Sequence, residues 1–252
     1  MRSTFMGPES SSPADKLEEM TSSRWPEIDW RRYHLQVLFL DRTGGVRSRI
    51  AAGLFERIAE WNGWGRILLP VAAGLHVNKT VDGLPSIPMS ISKMAAILTA
   101  GDALGLWTKS LARPAESFDV DDLDRNDLIL VLDRSLHKEI NDLILQAVPS
   151  EDWKYYQGKV CLLSMFGGYE NDSTMLASGG LALLPRQLSW ILRQEFSSSK
   201  KVVDIASPDF SSDTSEKELS SMVCSLILSC GGLCKYLMDC YPLDLPDYDP
   251  VD

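Results

Sequence analysis

Five residues separate Asp41 from Arg47, with Ser48 directly after, and the segment between them reads Arg42-Thr43-Gly44-Gly45-Val46. A short glycine-bearing loop between a parallel strand and a helix N-terminus gathers backbone N–H groups that can bind phosphate, helped by the helix dipole. An arginine at the end of such a loop can clamp two phosphate oxygens. Residues 42–48 are therefore the candidate anion loop. Asp41 is the anomaly, since it places a negative charge at the base of a cradle suited to anions. At about 4 Å from a phosphate charge it would repel by roughly 4 kcal/mol at an effective dielectric near 20, about a thousandfold in affinity. The spacing predicts that Asp41 pairs with Arg47 and that the loop neutralises itself. The plainer expectation for an Asp after a buried strand is a cap on the following turn.

The loop needs a strand before it and a helix after it. Residues 36–40 read Gln-Val-Leu-Phe-Leu, a buried strand ending at Asp41, and Ile50, Ala51, Leu54, Phe55, Ile58 and Ala59 follow with helical spacing up to Gly63. The alternation continues with strands over 67–73, 128–132 and 160–165, and helices over 90–104 and 136–148. Strands separated by helical patterns imply βαβ units, hence a doubly wound α/β fold, three layers α/β/α around a small parallel sheet. Ligands bind beyond the C-terminal ends of such strands, which is where Asp41 lies. Residues 167–200 break the rhythm and are expected to be an insertion with a helix over 181–196. A short strand over 201–205 and a final helix over 214–239, capped by Thr214 or Ser215, complete the fold. The lead-in with Trp25, Trp30 and Tyr33 is expected to pack against the first strand.

At these residues the chain resembles the low-molecular-weight protein tyrosine phosphatases, whose loop is Cys-x5-Arg-Ser/Thr after the first strand. Arg47 and Ser48 match, and Asp41 stands in the place of the cysteine. Val71-Ala-Ala-Gly-Leu-His76 is similar to the family's Ser-Ala-Gly-Thr-x-x-x-His segment, and Asp127-Leu-Ile-Leu-Val-Leu-Asp-Arg-Ser135 to its Asp-Leu-Ile-Leu-x-Met-Asp-Arg-Ser. Ser207-Pro-Asp-Phe210 falls where the family has Val-Pro-Asp-Pro, so the resemblance makes Asp209 the counterpart of the general acid. It covers about residues 36–240, with 167–200 extra. The family attacks phosphorus with a thiolate, which Asp41 cannot supply. The loop's usual Gly and Asn positions carry Thr43 and Gly44, and the aromatic pair after the general acid is replaced by Ser211-Ser212. The resemblance thus implies a catalytically impaired phosphatase-like protein that works as an interaction or regulatory protein, with a protein partner. A second resemblance offers an enzyme instead. Leu38-Phe-Leu-Asp41-Arg-Thr-Gly-Gly45 is similar to the haloacid-dehalogenase superfamily, where the Asp is a phosphate-accepting nucleophile that needs Mg²⁺ and a second acidic cluster. Gly101-Asp102 is the best candidate for that cluster.

The chain has 252 residues, 44% hydrophobic and 24% charged, with net charge -10. That is the composition of a soluble globular protein, and the charge argues against nucleic acid or an anionic membrane as partner. Residues 1–24 are Ser- and Pro-rich and are expected to be a disordered polar tail, 25–242 the domain, and 243–252 an acidic tail. The tail's acidic residues fit the cytoplasm better than a plastid-type leader, which remains the alternative. The apolar run over 222–238 carries Ser225, Ser229 and Lys235 and is expected to be too short for a bilayer. Cys161, Cys224, Cys230, Cys234 and Cys240 are an odd set without paired metal spacing, so reduced structural thiols are expected. The run Asp119, Asp121, Asp122, Asp124, Asp127 is read as a solvated helical turn, and His34, His76 and His137 as lacking ligand partners. No metal and no cofactor is expected.

Overall fold

The computed structural model describes residues 25–30, 34–77, 116–169 and 216–242, with parts of 179–192 and 204–207. The expected helix over 90–104, the cap at Thr214 or Ser215, both tails and Asp209 lie outside these residues. Five parallel strands form one sheet in the order β3-β2-β1-β4-β5. They are β1 Leu35–Asp41, β2 Leu68–Gly74, β3 Glu116–Ser117, β4 Leu128–Val131 and β5 Val160–Leu162. Helices α1 Arg47–Trp61, α2 Asp122–Arg125, α3 Arg134–Ala147, α4 Trp153–Lys159 and α5 Glu216–Asp239 cover the two faces.

β1 sits at the centre of the sheet, which is why its sequence is apolar almost throughout rather than alternating. Val37 and Phe39 face Ile50, Leu54, Phe55 and Ile58 of α1 and Leu226, Leu233 and Leu237 of α5 in one core. Leu38 and Leu40 point the other way and pack with Ile129, Val131 and the Leu136, Ile140, Ile144 stripe of α3 in a second core. This is the expected three-layer α/β/α arrangement. α3 starts two residues earlier than the periodicity predicts because Asp133 caps it, accepting the N–H of Leu136 at 2.9 Å. α1 closes at Asn62 with Gly63 at φ 81, the left-handed position a glycine fills cheaply.

Several expectations are corrected. The fourth predicted strand stops at Leu162, and Leu163–Gly168 winds into a 3-10 turn under α5. The sheet gains β3, a two-residue edge strand too short to leave a pattern. The helix expected from 181 begins instead as a 3-10 turn, Gly179–Leu183, with helical backbone from Arg186, after Pro185. Leu184 and Leu192 of this segment lie in the α1–α5 core. Of the strand expected over 201–205, residues 201–203 lie outside the described residues, and Asp204 and Ile205 form a bend and coil.

The lead-in packs elsewhere than predicted. Trp25 stacks on Tyr236 of α5 and meets Phe166 and Tyr169, while Trp30 meets Tyr241. α5 contains a 19-residue stretch, Ser221–Asp239, which by length and apolar composition could cross a membrane, contrary to the sequence estimate. In the fold 61% of it is buried. Its close approach to the turns uses Gly231 and Gly232, since a Cβ on Gly232 would lie 1.8 Å from the carbonyl of Phe166. The thiols of Cys230 and Cys234 donate to the carbonyls of Ala51 and Phe55 on α1, and burial pushes both well above the ordinary thiol range. Burial also pushes Cys161 up to about 12. These thiols fill the core, as the sequence predicts.

Candidate functional site

β1 ends at the midpoint of the sheet, with β2 and β4 on either side. The chain order reverses there, so the crevice between the ends of β1 and β4 is the place where ligands bind in this topology. Residues 42–46 connect β1 to α1 across its floor. Leu75 and His76 donate backbone N–H bonds to the carbonyls of Asp41 and Arg42, which ties the loop to the end of β2. The loop sits so close to Gly74 that a Cβ there would lie 2.2 Å from the nitrogen of Gly44. Gly74 thus belongs to the site as a backbone neighbour. The sequence marked it only as part of a motif.

The loop's N–H groups bind the chain's own carboxylate. Asp41 Oδ1 accepts from the backbone of Thr43 at 3.0 Å and from that of Gly44, and Oδ2 accepts from Ser48 at 3.2 Å. Asp41 is only 3% exposed. Val46, the residue before α1, has no side-chain cap bond, so Asp41 caps the helix from seven positions upstream. The expected turn cap is therefore present, extended to the first turn of the helix. Gly44 at φ 64 gives the loop the left-handed step that brings its N–H onto the carboxylate.

The predicted pair between Asp41 and Arg47 does not form. Arg47 Nη2 donates to Asp133 Oδ2 at 3.0 Å and Nη1 to the carbonyl of Ile205 at 2.8 Å. The reason is supply: backbone amides already satisfy Asp41, and Asp133 at the end of β4 lies across the crevice from the helix start. Asp133 also takes the hydroxyl of Ser135 at 2.7 Å. Burial alone would raise the Asp133 carboxyl, but the bonds from Ser135, Leu136 and Arg47 outweigh it and hold the group below its ordinary value. Arg42 crosses the outer edge of the same crevice to Ser135 Oγ at 3.3 Å and Glu139 Oε2 at 3.1 Å. Glu139 in turn meets His76 Nε2 at 2.5 Å, so His76 has a partner that the sequence did not suggest.

Thr43, Gly44 and Ser48 meet Asp41 through their backbone N–H groups, while Arg47 at the same helix start reaches Asp133 and Ile205 instead. A Cβ on Gly45 would lie 3.1 Å from the hydroxyl of Thr43, and Val46 is buried. Sequence reasoning missed Asp133, Glu139 and Arg49. Asp133 was legible as an N-cap, three residues before Leu136. The run Asp119 to Asp124 forms the turn and short helix α2, as expected, and Asp127 instead accepts the N–H of Gln36 on β1.

No family model matches the chain, and no characterised protein matches its sequence. Solved structures do match. A protein tyrosine phosphatase from Entamoeba histolytica superimposes with TM-score 0.54 at 14% identity, over 81% of this chain and 97% of that one. A low-molecular-weight phosphotyrosine phosphatase from Vibrio cholerae gives 0.51 at 15% identity, over 81% and 97%. The fold is that of the low-molecular-weight tyrosine phosphatases. An arginine phosphatase from Drosophila shares this phosphatase fold, with TM-score 0.53 at 16% identity over 83% of this chain and the whole of that one. Identities this low establish the phosphatase fold and leave the chemistry to be argued from the side chains.

Proposed function

We propose that this chain is a catalytically impaired relative of the phosphatases whose fold it shares, acting through a protein partner rather than by phosphoester hydrolysis. The observation that carries this reading is the engagement of Asp41 by the N–H groups of Thr43, Gly44 and Ser48. A phosphate in the loop would need those same donors, and a carboxylate already holds them. Charge-assisted bonds of this kind are roughly twice as strong as neutral ones. An incoming dianion would have to displace the carboxylate and then tolerate its charge. Arg47 is likewise engaged, with Nη1 and Nη2 donating to Ile205 and Asp133. Hydrolysis by the thiolate route implied by the resemblance has no nucleophile in this chain at position 41.

A Mg²⁺-dependent reaction through Asp41 fits these residues less well. Both Asp41 oxygens face N–H donors, whereas a divalent cation needs oxygen ligands converging on it. Among the described residues no group of three or more His, Cys, Asp or Glu side chains is placed to hold a metal ion. Gly101-Asp102 lies outside those residues.

The test is an aryl phosphate assay on wild type, Asp41→Asn and Asp41→Cys, each with and without Mg²⁺, alongside tungstate binding at neutral pH. The expected outcome is no turnover and no micromolar tungstate binding by the wild type. Wild-type turnover that disappears in Asp41→Asn would overturn the proposal.

A further inference from the structure

The lead-in is seated on α5 as a peptide ligand would be. Residues 25–30 belong to no helix or strand, yet Trp25 and Pro26 are fitted to three aromatic side chains from distant parts of the chain. The Trp25 ring stacks on Tyr236 of α5 at 5.4 Å, with the two planes 25° apart. Tyr169 meets the same ring edge-on at 5.2 Å, and Phe166 lies tilted against it at 5.4 Å. The Tyr236 hydroxyl then donates to the carbonyl of Pro26 at 2.5 Å, 210 residues away along the chain. Stacking on the indole and a hydrogen bond to the next carbonyl together read a tryptophan–proline step. Proline-containing peptides dock in aromatic-lined grooves of this kind. The walls also have anchors of their own. Phe166 belongs to the α1–α5 core. The Tyr169 hydroxyl donates to Asp239 Oδ2 at 3.1 Å, and Lys235, one turn earlier on α5, pairs with the same carboxylate. Trp25, by contrast, is 38% exposed.

We propose that Phe166, Tyr169 and Tyr236 form a docking site for a tryptophan–proline segment of a protein partner, with Trp25 and Pro26 as the resident occupant that the partner displaces. This deepens the reading that the chain works through a protein partner, and rests on it. The resident defines the chemistry the partner must bring: an indole to lie on Tyr236, followed by a proline whose carbonyl meets the hydroxyl. A short tether holds such a resident at an effective concentration of about a millimolar. A free peptide therefore competes only near that concentration, and a partner gains by holding its segment in the bound shape.

The experiment uses the full chain and, as probe, a dye-labelled peptide with the sequence of residues 25–30, Trp-Pro-Glu-Ile-Asp-Trp, followed by fluorescence anisotropy. The peptide is expected to bind Trp25→Ala at least about tenfold more tightly than the wild type, whose own lead-in competes. Replacing the peptide's first tryptophan by alanine should abolish that binding. Adding Tyr236→Phe to Trp25→Ala should weaken it about fivefold, the effect of one hydrogen bond. Equal binding to the wild type and to Trp25→Ala would overturn the proposal, as would binding that ignores the peptide's tryptophan. Should Trp25→Ala not fold, the wild type is irradiated with a photo-crosslinking form of the peptide at concentrations of about a millimolar and above. Attachment is then expected at Phe166, Tyr169 or Tyr236, and attachment elsewhere, or none, would overturn the proposal. A wild-type dimer that the peptide dissociates would overturn it in favour of a second copy of this chain as the occupant. Turnover of aryl phosphate by the wild type would instead sink the impaired-phosphatase reading and leave the docking site to be judged by the peptide.

Discussion

Arg47 and Asp133 are joined across the crevice between β1 and β4, Nη2 to Oδ2 at 3.0 Å, with the Arg47 side chain 6% and the Asp133 side chain 22% exposed. The bond pins the start of α1 to the start of α3. Through Nη1 the same arginine holds the carbonyl of Ile205, so a third segment of chain is anchored at this point. An arginine that could clamp a ligand is here a strut within the fold.

Removing that strut should be expensive. Arg47→Met leaves Asp133 partly buried without its cation, and the loss is expected to be about 3 kcal/mol, at the lower end for breaking such a pair because Asp133 is partly wet. Arg47→Lys should recover only part, since an ammonium cannot reach Asp133 and Ile205 with a planar fork. Urea unfolding of the three proteins measures this, and a loss below about 0.5 kcal/mol for Arg47→Met would contradict the assignment.

Acid should weaken the fold through Asp133. Its carboxyl is held below the ordinary value in the folded chain, so near pH 4 the unfolded chain binds the proton more readily. The contribution is fully present above the unfolded value of about 3.9 and is lost as pH falls through the lower folded value. Stability measured from pH 6 down to pH 3 should fall in the wild type and fall less steeply in Asp133→Asn. Identical slopes would rule Asp133 out as the source.

Two glycines separate crowding from backbone strain. Gly74→Ala puts a Cβ 2.2 Å from the nitrogen of Gly44, against backbone that cannot give way locally. It is expected to destabilise by more than about 2 kcal/mol, as overpacking does. Gly63→Ala meets nothing within 4 Å but keeps φ 81, so only the left-handed penalty of about 1 kcal/mol applies. Thermal unfolding of both variants should rank them in that order.

The lead-in is expected to be part of the folded unit. A chain starting at residue 31 loses Trp25 and Trp30 and uncovers Phe166, Tyr169, Tyr236 and Tyr241. It also loses the Pro26 carbonyl that accepts the Tyr236 hydroxyl. It should unfold at lower urea than a chain starting at residue 25, whereas equal midpoints would show that the aromatic contacts add nothing.

Much of the fold was legible because the core strands are buried on both faces and their apolar runs are dense. β1, β2, β4, α1, α3 and α5 were predicted to within a few residues. β3 was not, since two exposed residues on a sheet edge carry no periodicity. β5 was predicted too long because Leu163 and Phe166 are as apolar as a strand, although they pack beneath α5 from a 3-10 turn. The docking of Trp25 was misplaced because an aromatic residue announces burial and says nothing about its partner.

By itself, the sequence determined that an Asp ends β1, that glycines lie shortly after it, and that an arginine and a serine open the next helix. Those are facts of local order, and local order sets which backbone N–H groups can converge. Only the tertiary structure decided who binds whom. Asp41 takes amides two, three and seven residues ahead, a reach set by the turn at Gly44. Arg47 takes a carboxylate 86 residues away, and Glu139 takes His76 from 63 residues away. Such partners are chosen by the sheet order, which lays β2 and β4 beside β1, and no spacing along the chain encodes that choice.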